Sequence, residues 1–196
     1  LRTPLAGLDA QLAVAQREAP ETLRARLARM RQATRRLQQV VTALLTLFRS
    51  GADLQRTSVR VADLVDRLPV EGLHIMVSDD KAIVQADADL LAAALLNLLD
   101  NALRHGAKQV RIDVPAPQCV RLHDDGPGVD DGKRRALQAA LDEAQYEGHT
   151  GLGLMLADVV ARAHGGRLRL PTPREGVGFD AELTLQAEAA GDTPGA

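Results

Sequence analysis

Three clusters of residues in this 196-residue chain have the types and spacing that chemistry uses. The first lies in "NLLDNALRH". Asn97 and Asn101 are four apart, so on a helix both amides project from one stripe, with Arg104 and His105 a turn further on. Asn is a mediocre helix former, and two of them in so apolar a helix are unfavourable unless they bind something. A neutral amide oxygen suits Mg2+ that already carries phosphate charge, because Mg2+ keeps waters and takes only one or two protein ligands. Taken singly, an Asn pair more often caps a loop or bonds a neighbouring strand. The second cluster is "HDDGPGVDDG". Gly126 and Gly128 let the backbone turn sharply and lie close to a flat ligand. Asp124, just before them, can accept a hydrogen bond from an exocyclic amine such as that of adenine. By itself the stretch also reads as an acidic surface turn. In the third, "GHTGLGLMLADVV", Gly148, Gly151 and Gly153 precede or open a helix, where free N–H groups and the positive dipole end receive phosphate. No Gly-Lys-Ser/Thr follows and no strand leads in, so it is neither a P-loop nor a dinucleotide fingerprint.

The elements that must position these clusters are legible from periodicity. Leu1, Leu5, Leu8, Leu12 and Ala15 form a helical stripe, broken at Pro20. Leu23, Leu27, Met30, Thr34, Leu37, Val41, Leu44 and Phe48 then repeat at spacings of four and three, a heptad seam ended by Ser50 and Gly51. One hairpin of two such helices cannot enclose its own seam, so a homodimer forming a four-helix bundle is expected. From Thr57 the pattern changes. "TSVRVADLVDRL" reads as a short strand leading into a helix, and "HIMVS" and "AIVQA" read as strands. "DADLLAAALLNLLDNALRHG" is a long helix capped by Asp87 or Asp89, with Leu91, Leu95, Leu98 and Ala102 facing the core. "KQVRIDV" and "QCVRLHDD" are strands joined by "PAP"; "LGLMLADVVARAHGG" is a helix, and "GRLRLPTPREGVGFDAELTLQ" a closing hairpin. Helices and strands mix without strict alternation, so the fold class is α+β: an antiparallel helical hairpin over 1–52, a two-layer α/β sandwich over 56–187, and a frayed tail over 188–196.

Composition narrows the function classes. Aromatics are 2% of the chain, so its core must be built from Leu, Val and Ala. The net charge of −2 argues against a nucleic-acid binder that works by bulk electrostatics. Residues 1–55 hold 9 Arg and Lys against 4 Asp and Glu, whereas residues 56–196 hold 15 against 22, which points to two modules with different partners. The single Cys119 excludes an internal disulfide framework. No apolar run approaches the length that spans a bilayer. His74 and His123 read as packing or surface residues, His164 as a helix-end residue that satisfies terminal carbonyls, and no pair has zinc-ligand spacing.

Together, in this order, the three clusters are far more specific than any one. They resemble the N, G1 and G2 boxes of the Bergerat-type ATP-binding domain of bacterial sensor histidine kinases, over residues 57–186. "LRTPL" resembles the end of that family's phosphoacceptor motif, His-Glu-Leu-Arg-Thr-Pro-Leu, at the start of its dimerising hairpin. The resemblance implies ATP and Mg2+ as cofactors, with Asn101 the principal Mg2+ ligand and Asn97 supporting it. It implies Arg104 reaching the phosphates, His105 where the family often has Tyr, and Asp124 reading the adenine amino group. Gly126 and Gly128 would let the chain pass the base, while Thr150, Gly151, Leu152 and Gly153 would offer backbone donors to the phosphates. Thr3 matches a residue associated with dephosphorylating the partner response regulator. Pro4 is expected to bend its helix. The implied partners are a second copy of the chain and a response regulator receiver domain, with no nucleic acid, and a membrane only through other parts of an inner-membrane sensor. The expected phosphoacceptor His would lie two residues before Leu1, so this stretch is expected to bind ATP without phosphorylating itself at that site. One departure is the segment between G1 and G2, where the family has a Phe-bearing F box and this chain has no Phe. Leu137, Leu141 and Tyr146 are the apolar candidates for that anchor. Lys133, Arg134 and Arg135 either touch phosphate or form a solvated helix face. Two alternatives remain: a lid-degenerate pseudokinase acting as a regulator-binding phosphatase, and another Bergerat ATPase.

Overall fold

The computed structural model describes residues 2–20, 22–24, 26–28, 30, 34, 54–145, 151–173 and 177–186, and the chain divides into two compact units, 1–45 and 46–196. In the first unit α1 runs Arg2–Glu18, with Arg17 in its last turn complementing the dipole. The break falls at Pro20 as the sequence requires. Leu23 and Arg24 donate their N–H groups to the Pro20 carbonyl at 2.9 and 3.3 Å, and helical residues continue to Thr34 among those described. Arg24 Nε reaches back to Ala19 O at 3.1 Å. On the heptad seam Thr34 is buried and donates to Met30 O, whereas Leu23 and Met30 are exposed. Leu37, Val41, Leu44, Phe48, Ser50 and Gly51 lie outside the described residues.

The second unit is the α+β sandwich expected. Strand β1 (Arg56–Arg60) pairs antiparallel with β3 (Ile83–Asp87), and the short helix α2 (Val61–Val65) follows β1. The main sheet has five strands in the order β2-β4-β5-β7-β6: β2 His74–Val77, β4 Gln109–Ala116, β5 Cys119–Asp124, β7 Phe179–Thr184 and β6 Arg167–Arg169. Only β2 and β4 run parallel; the other pairs are antiparallel. The β4–β5 turn comes at Pro117 and Gln118, because β4 continues through Pro115 and Ala116 of "PAP". Gln118 takes a positive φ there. Among the described residues three further helices follow: α3 (Ala88–Arg104), α4 (Asp131–Asp142) and α5 (Leu152–Ala163).

Period-two alternation divides the sheet. Val110, Ile112, Val120, Leu122, Ala181, Leu183 and Leu168 are buried on one face. On the other, Arg121 bridges Glu182 and Asp113, and His123 pairs with Asp180. Helix α3 buries Leu90, Leu91, Leu95 and Leu99 completely, which the near-continuous apolar run of its sequence requires. Each such side chain contributes about 1.5–3 kcal/mol. Asp87, not Asp89, caps α3 by accepting from Leu90 N–H at 3.1 Å. His164 fastens the ends of two helices. Its Nε2 accepts from Asp87 N–H at 3.0 Å, which makes Nδ1 the donor to Val160 O at 2.8 Å. It thus satisfies a terminal carbonyl of α5, as expected, and does more. Burial and the Arg56 charge lower its pKa, which keeps the ring neutral. Among the described residues no helix is long and apolar enough to cross a membrane.

Candidate functional site

A cavity of about 250 Å3 opens where α3 ends, β5 turns out of the sheet, and α4 and α5 begin. Its walls are Asn101, Arg104 and His105 from α3; Asp124, Pro127, Gly128 and Val129 from β5 and the loop after it; Lys133 and Leu137 from α4; Gly151 and Leu154 from α5; and Phe179 from β7. The three sequence clusters, separated by up to fifty residues, therefore meet in one place.

Asp124 ends β5 on the same side as Val120 and Leu122, so alternation turns its carboxylate into the domain, where it is 4% exposed. Gly126 N–H donates to Oδ1 at 2.9 Å. Burial pushes the carboxyl pKa up, and the Gly126 hydrogen bond and the nearby His123 pull it partly back. The adjacent Asp125 does something else. It is exposed, and its Oδ1 accepts from Lys108 and Gln109 N–H at 2.7 and 2.9 Å, which holds the α3–β4 loop and lowers its pKa. Backbone packs on backbone around Asp124 at two glycines. Gly128 has φ +67°, and a Cβ there would lie 2.3 Å from Gly178 O. Gly178 has φ +93°, and a Cβ there would lie 1.9 Å from Asp124 O. Backbone packed this closely on backbone needs glycine on both sides.

The two asparagines part company. Asn101 is half-buried and lines the cavity, whereas Asn97 is 5% exposed and lies beneath the start of α5. A Cβ on Gly153 would stand 3.1 Å from Asn97 O, so that glycine lets α5 approach α3. Asn97 Nδ2 donates to Ala93 O at 2.7 Å, but its buried Oδ1 has no partner. An orphaned buried acceptor costs about 1–3 kcal/mol, so this atom is set up for a water or a ligand. Gly151 caps α5 with no side-chain acceptor and has open space around it, facing the cavity. Leu152, Gly153 and Gly126 do not line the cavity; Thr150 lies outside the described residues, as does the side chain of Thr3. Arg104 pairs with Asp100 at 2.8 Å, and His105 is the exposed C-cap of α3. Of the three cations after Gly128, Lys133 lines the cavity, and Arg134 is tied to Asp131 and Leu170 O.

Sequence reasoning missed Leu154 and Phe179. Leu154 sits one turn into a helix that glycines open, and Phe179 is one of two Phe in the chain and starts a strand after Gly178. With Val129 and Leu137 they give the cavity an apolar wall beside the Asp124 carboxylate. That pairing suits a flat ring carrying an amine. Among the described residues no group of three or more His, Cys, Asp or Glu is placed to hold a metal ion. A neutral donor set of amide oxygens fits Mg2+ only when phosphate supplies most of the ligands.

Two family models match the chain. Residues 1–53 match the family model described as His Kinase A (phospho-acceptor) domain, and residues 86–189 match the one described as histidine kinase-, DNA gyrase B-, and HSP90-like ATPase. The chain is 43% identical over 107 residues to the sensor protein kinase CarS of Pseudomonas aeruginosa, covering 51% of this chain and 24% of that protein. It is 28% identical to the probable sensor histidine kinase TcrY of Mycobacterium tuberculosis, covering 94% of this chain and 44% of that one. The structure of the Acinetobacter baumannii histidine kinase AdeS shares the fold, with a TM-score of 0.58 at 19% identity, covering 94% of this chain and 95% of that chain. The chain thus spans less than half the length of either curated relative.

Proposed function

The chain belongs to the sensor histidine kinases of two-component systems, and from that membership we propose that it binds Mg-ATP in the cavity at Asp124 and serves as a cytoplasmic kinase core. In the whole protein the γ-phosphoryl would pass to a hairpin histidine, with the bond to the β–γ bridging oxygen breaking as the nitrogen–phosphorus bond forms. It would then pass to an Asp of a response regulator. The observation that carries this reading is the meeting of Asn101, Arg104, Asp124 and Gly151, from three separate segments, around one cavity.

Each residue has work that its surroundings suit it for. Asp124, with one oxygen held by Gly126, accepts from the adenine amine. Phe179, Leu154, Leu137 and Val129 exclude water from the ring. Arg104 and Lys133 meet phosphate charge, and His105 offers a ring N–H to it. The N–H groups of Leu152 and Gly153 at the start of α5 receive phosphate oxygens, a role also proposed for Thr150. Asn101 would hold Mg2+ directly, and the unpartnered Asn97 Oδ1 would accept from a water of its hydration shell. Mg2+ held there would supply positive charge to neutralise the phosphates. Positioning and charge are what phosphoryl transfer requires of a protein.

The exposed Leu23 and Met30 on the heptad seam support a homodimer through the hairpin, and Thr3 is proposed to assist removal of phosphate from the regulator. No nucleic acid is a proposed partner, and any membrane contact belongs to other parts of the sensor. The regulator-binding pseudokinase reading rests on the missing Phe; the docking of α4 through Leu137 and Leu141 supports an assembled site instead. Calorimetric titration with Mg-ATP tests the proposal. Saturable one-to-one binding that weakens in Asn101→Asp is expected. No binding by the unaltered chain would favour the phosphatase-only alternative. Hydrolysis independent of any histidine would favour a different ATPase of this fold.

A further inference from the structure

Helix α4 carries two neighbouring stripes of different use. Lys133 and Leu137, four apart, line the cavity. Arg134 and Gln138, also four apart and one residue on, are turned about 100° around the helix axis. They grip a single residue just past β6. Arg134 Nη1 donates to Leu170 O at 3.1 Å, and Gln138 Oε1 accepts from Leu170 N–H at 2.7 Å. Both backbone polar groups of Leu170, a residue 2% exposed, are thus taken by side chains of α4. Gln138 Nε2 is in turn fixed by the Asp142 carboxylate at 3.0 Å, and Arg134 by Asp131. At the far end of α4, Arg162 of α5 donates to the carbonyls of Leu141 and Asp142 while the fully buried Asp158 holds its Nε at 2.7 Å.

Resting on the nucleotide reading above, we propose that this polar clasp on Leu170 positions the nucleotide: Gln138 and Arg134 set the roll of α4 about its axis and so aim Leu137 and Lys133 into the cavity. Only Leu137 and Leu141 of the twelve residues of α4 are buried hydrophobics, and no Phe occurs between Val129 and His149. Burial of two leucines is non-directional and leaves a helix free to roll. Hydrogen bonds to both groups of one buried peptide residue are directional and do not. The chain therefore does with Gln138 and Arg134 what a large apolar anchor does by bulk. Gln138 and Arg134 do not line the cavity; they act through Leu137 and Lys133.

The test uses the whole 196-residue chain, with dissociation constants for Mg-ATP taken by calorimetry well below the unfolding transition, and with the fold checked by far-ultraviolet circular dichroism. Gln138→Leu keeps the volume and loses both hydrogen bonds, and is expected to bind Mg-ATP about tenfold more weakly. The exchanged pair Gln138→Glu with Asp142→Asn keeps an acceptor for Leu170 N–H and reverses the second bond, and is expected to restore affinity to within about twofold. Arg134→Lys, which loses the fork that reaches Leu170 O, should weaken binding severalfold and serves if Gln138→Leu does not fold. Unchanged affinity in Gln138→Leu or Arg134→Lys, or an exchanged pair no tighter than Gln138→Leu, would overturn the clasp alone. Absence of Mg-ATP binding by the unaltered chain would overturn the nucleotide reading and the positioning role with it.

Discussion

The two ends of the cavity are built on different principles. At the Asp124 end the backbone interlocks: Gly128 against Gly178, Gly178 against Asp124, with the carboxylate buried and one of its oxygens already committed. At the other end Arg104 is half exposed and held by a neighbour on its own helix, Lys133 is exposed, and Gly151 has open space around it. A flat, uncharged ring offers little to recognise except shape and one or two hydrogen bonds, so the groups that read it must be fixed and dry. A triphosphate announces itself by charge, which acts over several ångströms, so its partners can stay wet and adjustable. Substitutions at the first end should therefore disturb fold and binding together, and those at the second end binding alone.

The largest effect tests the rigid end. Gly128→Val puts a Cβ into Gly178 O and forces a β-branched residue to positive φ, so the domain should lose about 3 kcal/mol or more and all nucleotide binding. A thermal melt that does not move would show the interlock to be soft. Next is Asn101→Asp, which sets a carboxylate where a neutral amide faces phosphate. Mg-ATP affinity should fall by about 2 kcal/mol while the melting temperature stays put; a matching loss of stability would blur the distinction between the ends. Asp124→Asn should weaken adenosine, which carries no phosphate, by about 1–2 kcal/mol, measured by calorimetry. Arg104→Ala should weaken ATP by about 1 kcal/mol at low salt, less as salt rises, and leave adenosine untouched. The smallest effect is on acidification. Burial raises the Asp124 pKa, so as pH falls the carboxyl takes up its proton earlier than an ordinary carboxylate does. The protonated group is the poorer acceptor, so adenosine affinity should decline on going from neutral pH to about pH 5. Asp124→Asn should flatten that slope.

How much of this was legible in the sequence differs between the same two ends. Asn101, Arg104, Gly151 and their order along the chain could be read directly, because helical spacing and helix-opening glycines are local signals. So could the break at Pro20 and the mixed strand-and-helix make-up of the second unit. Asn97 shows the limit. Spacing puts it on one stripe with Asn101, but only the approach of α5 at Gly153 decides that one is covered and the other open. At the rigid end, strand alternation could separate Asp124 from Asp125, since Val120, Leu122 and Asp124 share a side. Gly178 could not be foreseen as the partner of Gly128, fifty residues away, without the β5–β7 register. The grip of Gln138 on Leu170 left no trace in the sequence at all. A Gln on a charged helix reads as solvated until the strand exit it meets is known. Tertiary contacts between distant segments, not local propensity, are what the sequence withheld.

The most direct test of the central claim, that Asp124 reads an adenine amine in this cavity, is a calorimetric comparison of Mg-ATP with Mg-GTP on the unaltered chain and on Asp124→Asn. GTP presents a carbonyl oxygen where ATP presents the amine, and that oxygen would meet a buried carboxylate. The unaltered chain should bind Mg-ATP and strongly discriminate against Mg-GTP, and Asp124→Asn should lose most of that preference. Equal affinity for the two nucleotides in the unaltered chain, or an undiminished preference in Asp124→Asn, would contradict the account.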